Sequence, residues 1–208
     1  MNKTLDEIVD DVVGSAFKAF VPGDRGAFEK CDSELLEAED LIISNVERPG
    51  ARELLAQILS TRIWLAAEMG DAEAVLDKSE GFLKEFSSAS LSYFNVLSLR
   101  LRSLHALDRH GDELREALEF AKDENIHGDL FIVLLEGIAT RHPGSIGENA
   151  FLREKIERSL IELRMSGYSL PECAGEDLNL EHLVFAAAAD LRLINQKRSM
   201  SLLAEYDS

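Results

Sequence analysis

The chain has 208 residues, 46% hydrophobic and 29% charged, an ordinary globular mix that can bury a core. Its formal net charge is −17 with a pI near 4.7, which argues against a nucleic-acid surface built on clustered Lys and Arg and permits a basic protein partner. No apolar run approaches the ~20 residues of a membrane span, and two cysteines without a CxxC pair point to neither a zinc site nor a disulfide framework.

The N-terminal stretch "MNKTLDEIVDDVVGSAF" carries acids where a signal peptide needs a basic segment, so the expected location is the cytoplasm. A first helix hairpin is expected over 4–47. Within 26–46, Phe28, Leu35, Ala38, Ile42 and Val46 recur at helical steps, and Asp32, Glu34, Glu37 and Asp40 fall on the opposite face. The acid-rich "CDSELLEAED" at 31–40 lacks the central Gly and alternating ligands of a calcium loop and reads as a solvated face. Cys31 and Cys173 are expected as reduced thiols packing like small apolar groups.

A second hairpin spans 51–87 and a third 91–127. Their first helices, 51–69 and 91–109, are apolar over a wide arc, which calls for neighbours on more than one side. The helices that follow are narrower and more acidic; in 71–86 the stripe is Val75, Leu76, Ser79, Phe82, Leu83 and Phe86. Trp64, in the widest apolar helix, reads either as core or, on an open wall, as a binding anchor. The tripeptide His-Gly-Asp occurs at 110–112 and 127–129. A Gly-Asp pair, also present at 70–71, closes one helix through a left-handed Gly and caps the next through the carboxylate. That reading puts His110 and His127 in the last turns of helices. The two units would lie roughly 22 Å apart along 112–126, so they cannot share a metal ion.

A fourth hairpin, 130–166, carries Leu152, Ile156, Leu160 and Leu163, and a closing helix spans about 178–204. The small residues of "VFAAAADL" at 184–191 let another helix approach, internal or from a second subunit; Leu202 and Leu203 suggest a docked tail. Pro22, Pro49, Pro143 and Pro171 each fall where a helix should end. The expected fold is therefore a single all-α domain, 1–208, of about nine helices in antiparallel hairpins stacked as a short repeat array. A compact helical bundle is the alternative.

Within the second hairpin, "WLAAEMGDAEAVLDKSEGFL" resembles a tetratricopeptide repeat through Trp64, Leu65, Gly70, Asp71 and Val75. "LHALDRHGDELREALEFA" resembles it more loosely through Leu107, Gly111, Asp112 and Ala117. The spacing is nearer 40 residues than 34, the family's Tyr and hairpin-ending Pro are missing, and the likeness covers about a third of the chain. The resemblance implies a protein-binding module without catalysis, stacked so that one face grips a partner.

The loops GxxxxGK[ST], GxGxxG and GxSxG and the helix motif HExxH are absent, and no cofactor, catalytic residue or metal ligand is assigned. "RLRSLH" at 100–105 has the Arg-x4-His pattern of the helical HEPN ribonucleases, which makes Arg100 and His105 the enzymatic alternative. On a straight helix those side chains point ~140° apart. His105 would then share a face with Arg102 and Arg109. The expected function is a non-enzymatic interaction module, adaptor-, immunity- or chaperone-like. It would bind a possibly basic protein through Trp64 and the acids Asp32, Glu34, Glu37 and Asp40. Self-association, or a small ligand held between hairpins, is also compatible with the sequence.

Overall fold

The computed structural model describes residues 4–18, 25–88, 90–126, 128–147, 150–167 and 179–192. Pro22, His127, Pro171, Cys173 and the tail beyond Arg192, with Leu202 and Leu203, lie outside the described residues. The protein is all-α. Among the described residues the helices are α1 Leu5–Lys18, α2 Arg25–Ile43, α3 Ala51–Glu68, α4 Ala72–Glu85, α5 Leu91–Ala106, α6 His110–Ala121, α7 Gly128–Arg141 and α8 Ala150–Met165. A ninth, α9, spans 180–192. Of the expected hairpins, α1/α2, α3/α4 and α7/α8 pack helix on helix, and α6 follows α5 across a short turn. Among the described residues no helix is long and apolar enough to cross a membrane. The chain divides into two compact units, Met1–Glu113 and Leu114–Ser208.

Local chemistry sets the helix starts. Thr4 and Glu7 form a capping box: the Glu7 N–H donates to Thr4 Oγ1 at 3.2 Å, and the Thr4 N–H donates to Glu7 Oε2 at 2.8 Å. Asp71 caps α4 by accepting the Ala74 N–H at 3.0 Å. Ser90 caps α5 by accepting the Tyr93 N–H at 3.1 Å.

In the first unit α3 packs against α2 and α4, its sequence neighbours, and also against α1 and α5. The wide apolar arcs follow from this: α3 meets α2 and α4 on one side and α1 and α5 on another, and α5 meets both α4 and α3. Thus α1, α3 and α5 form one layer and α2 and α4 back it. Ile58, Leu65, Leu97, Leu101 and Leu104 are fully buried between them, each contributing roughly 1.5–3 kcal/mol of apolar burial. In α2 the stripe holds for Phe28, Leu35, Ala38 and Ile42, but Val46 is 53% exposed because the helix ends at Ile43. Cys31 is a buried free thiol, and burial, then Glu34, pushes its pKa up.

The turn between α3 and α4 closes with a Schellman motif. The Gly70 N–H donates to Ala67 O and the Asp71 N–H to Ala66 O, both at 3.0 Å, with Gly70 at φ 74°. The turn between α5 and α6 repeats that pattern with a different residue in the left-handed seat. Here the Asp108 N–H donates to His105 O at 3.1 Å and the Arg109 N–H to Leu104 O at 2.9 Å. Asp108 has φ 55°. The expected closure at Gly111 is thereby corrected: Gly111 lies inside α6, and His110 opens that helix instead of ending α5. Asp does this job because its short polar side chain tolerates the left-handed region better than most residues. The repeat distance is 38 residues, from Gly70 to Asp108. Two arginines keep the same register. Arg62 on α3 reaches back to α2, and Arg100 on α5 reaches back to α4, donating to Leu76 O at 2.9 Å and Ser79 Oγ at 3.2 Å.

In the second unit α7 packs on α8. Leu152, Ile156, Leu160 and Leu163 are buried as their spacing predicts. Lys155 is buried, donates to Ala121 O at 2.7 Å and Asp123 O at 2.6 Å, and sits 4.6 Å above the Phe131 ring. It thereby satisfies carbonyls at the end of α6, while burial pushes its pKa down. On α9, Val184, Ala187, Ala188 and Leu191 are buried, while Ala186 and Ala189 are exposed.

Candidate functional site

The layer of α1, α3 and α5 carries a cleft of about 330 Å³. Phe17 contributes from α1, Ser60, Thr61 and Trp64 from α3, and Asn95, Ser98, Leu99 and Arg102 from α5. The cleft exists because three first-position helices lie side by side with side chains of unequal length. Phe17 and Trp64 form one wall as a tilted pair, ring centroids 4.7 Å apart. Trp64 is half-buried and Phe17 is 55% exposed. Ser60, Thr61, Asn95, Ser98 and Arg102 line the cleft together with the two rings and Leu99. A concave apolar patch with a few polar groups and an aromatic anchor is the usual composition of a recognition site. Trp64 combines both readings: it packs partly buried against the core of α1, α2 and α3 and also lines the cleft.

The four acids of α2 do not act as one face. Asp32 turns inward to α3: Arg62 Nε donates to Asp32 Oδ1 at 2.8 Å and Nη2 to Oδ2 at 3.3 Å. Glu39, which sequence reasoning did not single out, accepts from Arg62 Nη1. Burial alone would push the Arg62 guanidinium down, but hydrogen bonds and charge from Asp32 and Glu39 hold it above its ordinary value. The Arg62 side chain is 12% exposed, so this fork joins α2 to α3. The positions explain the split, since 32 and 39 are one heptad apart and meet the same neighbour. Glu34 pairs with Lys30 at 3.8 Å along the helix, and Glu37 and Asp40 are exposed. Only the last three stay on the outer surface as expected.

Arg100 and His105 do not come together. Arg100 is directed to α4, as above, and Leu101 between them is core. The His105 ring points to α6, where its Nδ1 lies 2.9 Å from Glu113 Oε2. Nor do Arg102, His105 and Arg109 share one solvated face. Arg102 lines the cleft, and Arg109 lies beyond the end of α5, pairing with Asp112 at 2.9 Å. Phe17 and Arg102 were missed by sequence reasoning; a single aromatic near a helix end and one arginine among several leave no periodic mark.

No protein-family model, curated protein or solved structure matches this chain.

Proposed function

We propose that the chain is a non-enzymatic protein–protein interaction module of helical-repeat type, with the cleft on the α1, α3 and α5 layer as its docking site. The observation that carries this reading is the pairing of an exposed Phe17 with a half-buried Trp64 along a 330 Å³ cleft. A monomeric core has no need to leave two large aromatic rings at the rim of a depression, whereas a partner side chain inserted there would be desolvated against both. The exposed Glu37 and Asp40, within a net charge of −17, would steer a basic partner toward the molecule. An adaptor, an immunity protein or a chaperone works this way: it binds a second protein and alters its availability.

The test is to recover the tagged protein from its native host at low and high salt and identify a stoichiometric partner. Trp64 is the single tryptophan, so its fluorescence reports the cleft directly. Titration with that partner should shift the emission, and Trp64→Ala should weaken binding by tenfold or more, the ~1.4 kcal/mol or greater loss of an anchor residue. A partner that leaves the emission unchanged and binds Trp64→Ala as tightly as the parent would move the docking site elsewhere and defeat this reading.

A further inference from the structure

The turn between α5 and α6 gathers three side chains with metal-ligating atoms. His105 closes α5, His110 opens α6, and Glu113 lies one turn further on. One ligand atom from each falls within 4.8 Å of the others. His105 Nδ1 is 2.9 Å from Glu113 Oε2, and the two imidazole rings are 4.7 Å apart between centroids. The Glu113 side chain is 0% exposed, whereas His105 and His110 are 42% and 50% exposed.

Because the α3/α4 turn has the same backbone at an offset of 38 residues, it shows what this corner needs for folding alone. The residues equivalent to His105, His110 and Glu113 are Ala67, Ala72 and Val75. Val75 is fully buried, as Glu113 is. The corner therefore closes with three apolar side chains, and all three are polar, ligand-type residues in the second copy. Burying a carboxylate is costly unless it is paired or coordinates a metal; Glu113 has the His105 ring 2.9 Å away, a polar pairing that the corner with Val75 closes without.

We infer that His105, His110 and Glu113 form a binding site for a divalent transition-metal ion of the zinc class. Two imidazoles and one carboxylate suit zinc, cobalt or nickel, whereas magnesium and calcium prefer oxygen-only shells. Zinc bonds of roughly 2.0–2.2 Å put neighbouring ligand atoms roughly 3.4 Å apart. The His105–Glu113 pair needs to open only slightly, and the exposed His110 ring closes the remaining distance by turning about its side-chain torsions. On binding, His105 holds the ion through Nδ1 and keeps its proton on the outer nitrogen. The buried Glu113 supplies fixed negative charge from below. The Asp108 carboxylate, 3.6 Å from His110 Nε2, adds negative charge beside the site. Three protein ligands leave a fourth position toward solvent, between the exposed rings.

The test is calorimetric titration of the full chain, stripped by chelator and dialysed, with Zn²⁺ in excess Mg²⁺, which occupies acidic surface sites without competing for imidazole. One equivalent should bind, and Co²⁺ should give the visible absorption of a low-coordinate nitrogen–oxygen site. His110→Ala, at an exposed position, should keep its helicity and lose at least the roughly 10–100-fold in affinity that even an outer partner of a metal ligand commands. The triple variant His105→Ala, His110→Ala, Glu113→Val installs the residues of the preceding turn and should abolish the site. Absence of saturable binding in the parent, or equal affinity in the parent and His110→Ala, would overturn the assignment.

Discussion

The corner at Gly70 and the corner at Asp108 have one backbone and two chemistries. Both close a wide apolar helix with the same pair of hydrogen bonds and start a narrower one. The first uses a glycine and lines its inner side with Ala67, Ala72 and Val75; the second uses an aspartate and lines it with His105, His110 and Glu113. Where one copy of a structural unit folds on apolar contacts alone, polar residues at the matching positions of the other are not explained by folding.

The exchange of Val75 and Glu113 breaks that comparison most sharply. Val75→Glu places a carboxylate in a fully buried position with alanines where the histidines would be, and should cost about 3–5 kcal/mol, the penalty of an uncompensated buried charge. Glu113→Val should cost less than Val75→Glu, because the half-exposed His105 can turn to water. Urea unfolding followed by helical circular dichroism measures both; equal losses would mean that the two corners are not equivalent.

A smaller effect is expected from His105→Ala, about 1–3 kcal/mol, since Glu113 stays buried without its imidazole. Adding Glu113→Val should restore most of that loss. An additive double variant would instead show that the two side chains do not stabilise one another.

The smallest effects concern the left-handed seat. Asp108→Gly should raise stability by about 0.5–1 kcal/mol by relieving a side chain held at φ 55°. Gly111→Ala should also gain about 0.5–1 kcal/mol, because Gly111 is helical and a Cβ there meets nothing within 4 Å. Destabilisation by Gly111→Ala would return Gly111 to the role of helix terminator.

Local pattern carried most of the fold. The helices, their apolar stripes and the cap at Asp71 were legible because each depends on residues three or four positions apart. The candidate sites were less so. Trp64 was visible as a large ring in an apolar helix, but its partner Phe17 is 47 positions away and belongs to another helix. Asp32 looked like a surface acid until Arg62, 30 positions on, turned it inward. The metal reading of His-Gly-Asp failed in sequence because it paired the two tripeptides with each other, whereas the fold joins His110 to His105 and Glu113.

The sequence by itself determined that the chain is helical, where the hairpins lie and which stripe of each helix is buried, since helix periodicity and breakers act over one turn. Only the tertiary structure decided which residue closes α5. Moving the left-handed seat from Gly111 to Asp108 is a shift of three positions, or ~300° of helix rotation. That rotation sets which side chains of α6 face the end of α5. Cross-turn pairing depends on a backbone angle at one residue, and a propensity for glycine did not override the packing that placed it at aspartate.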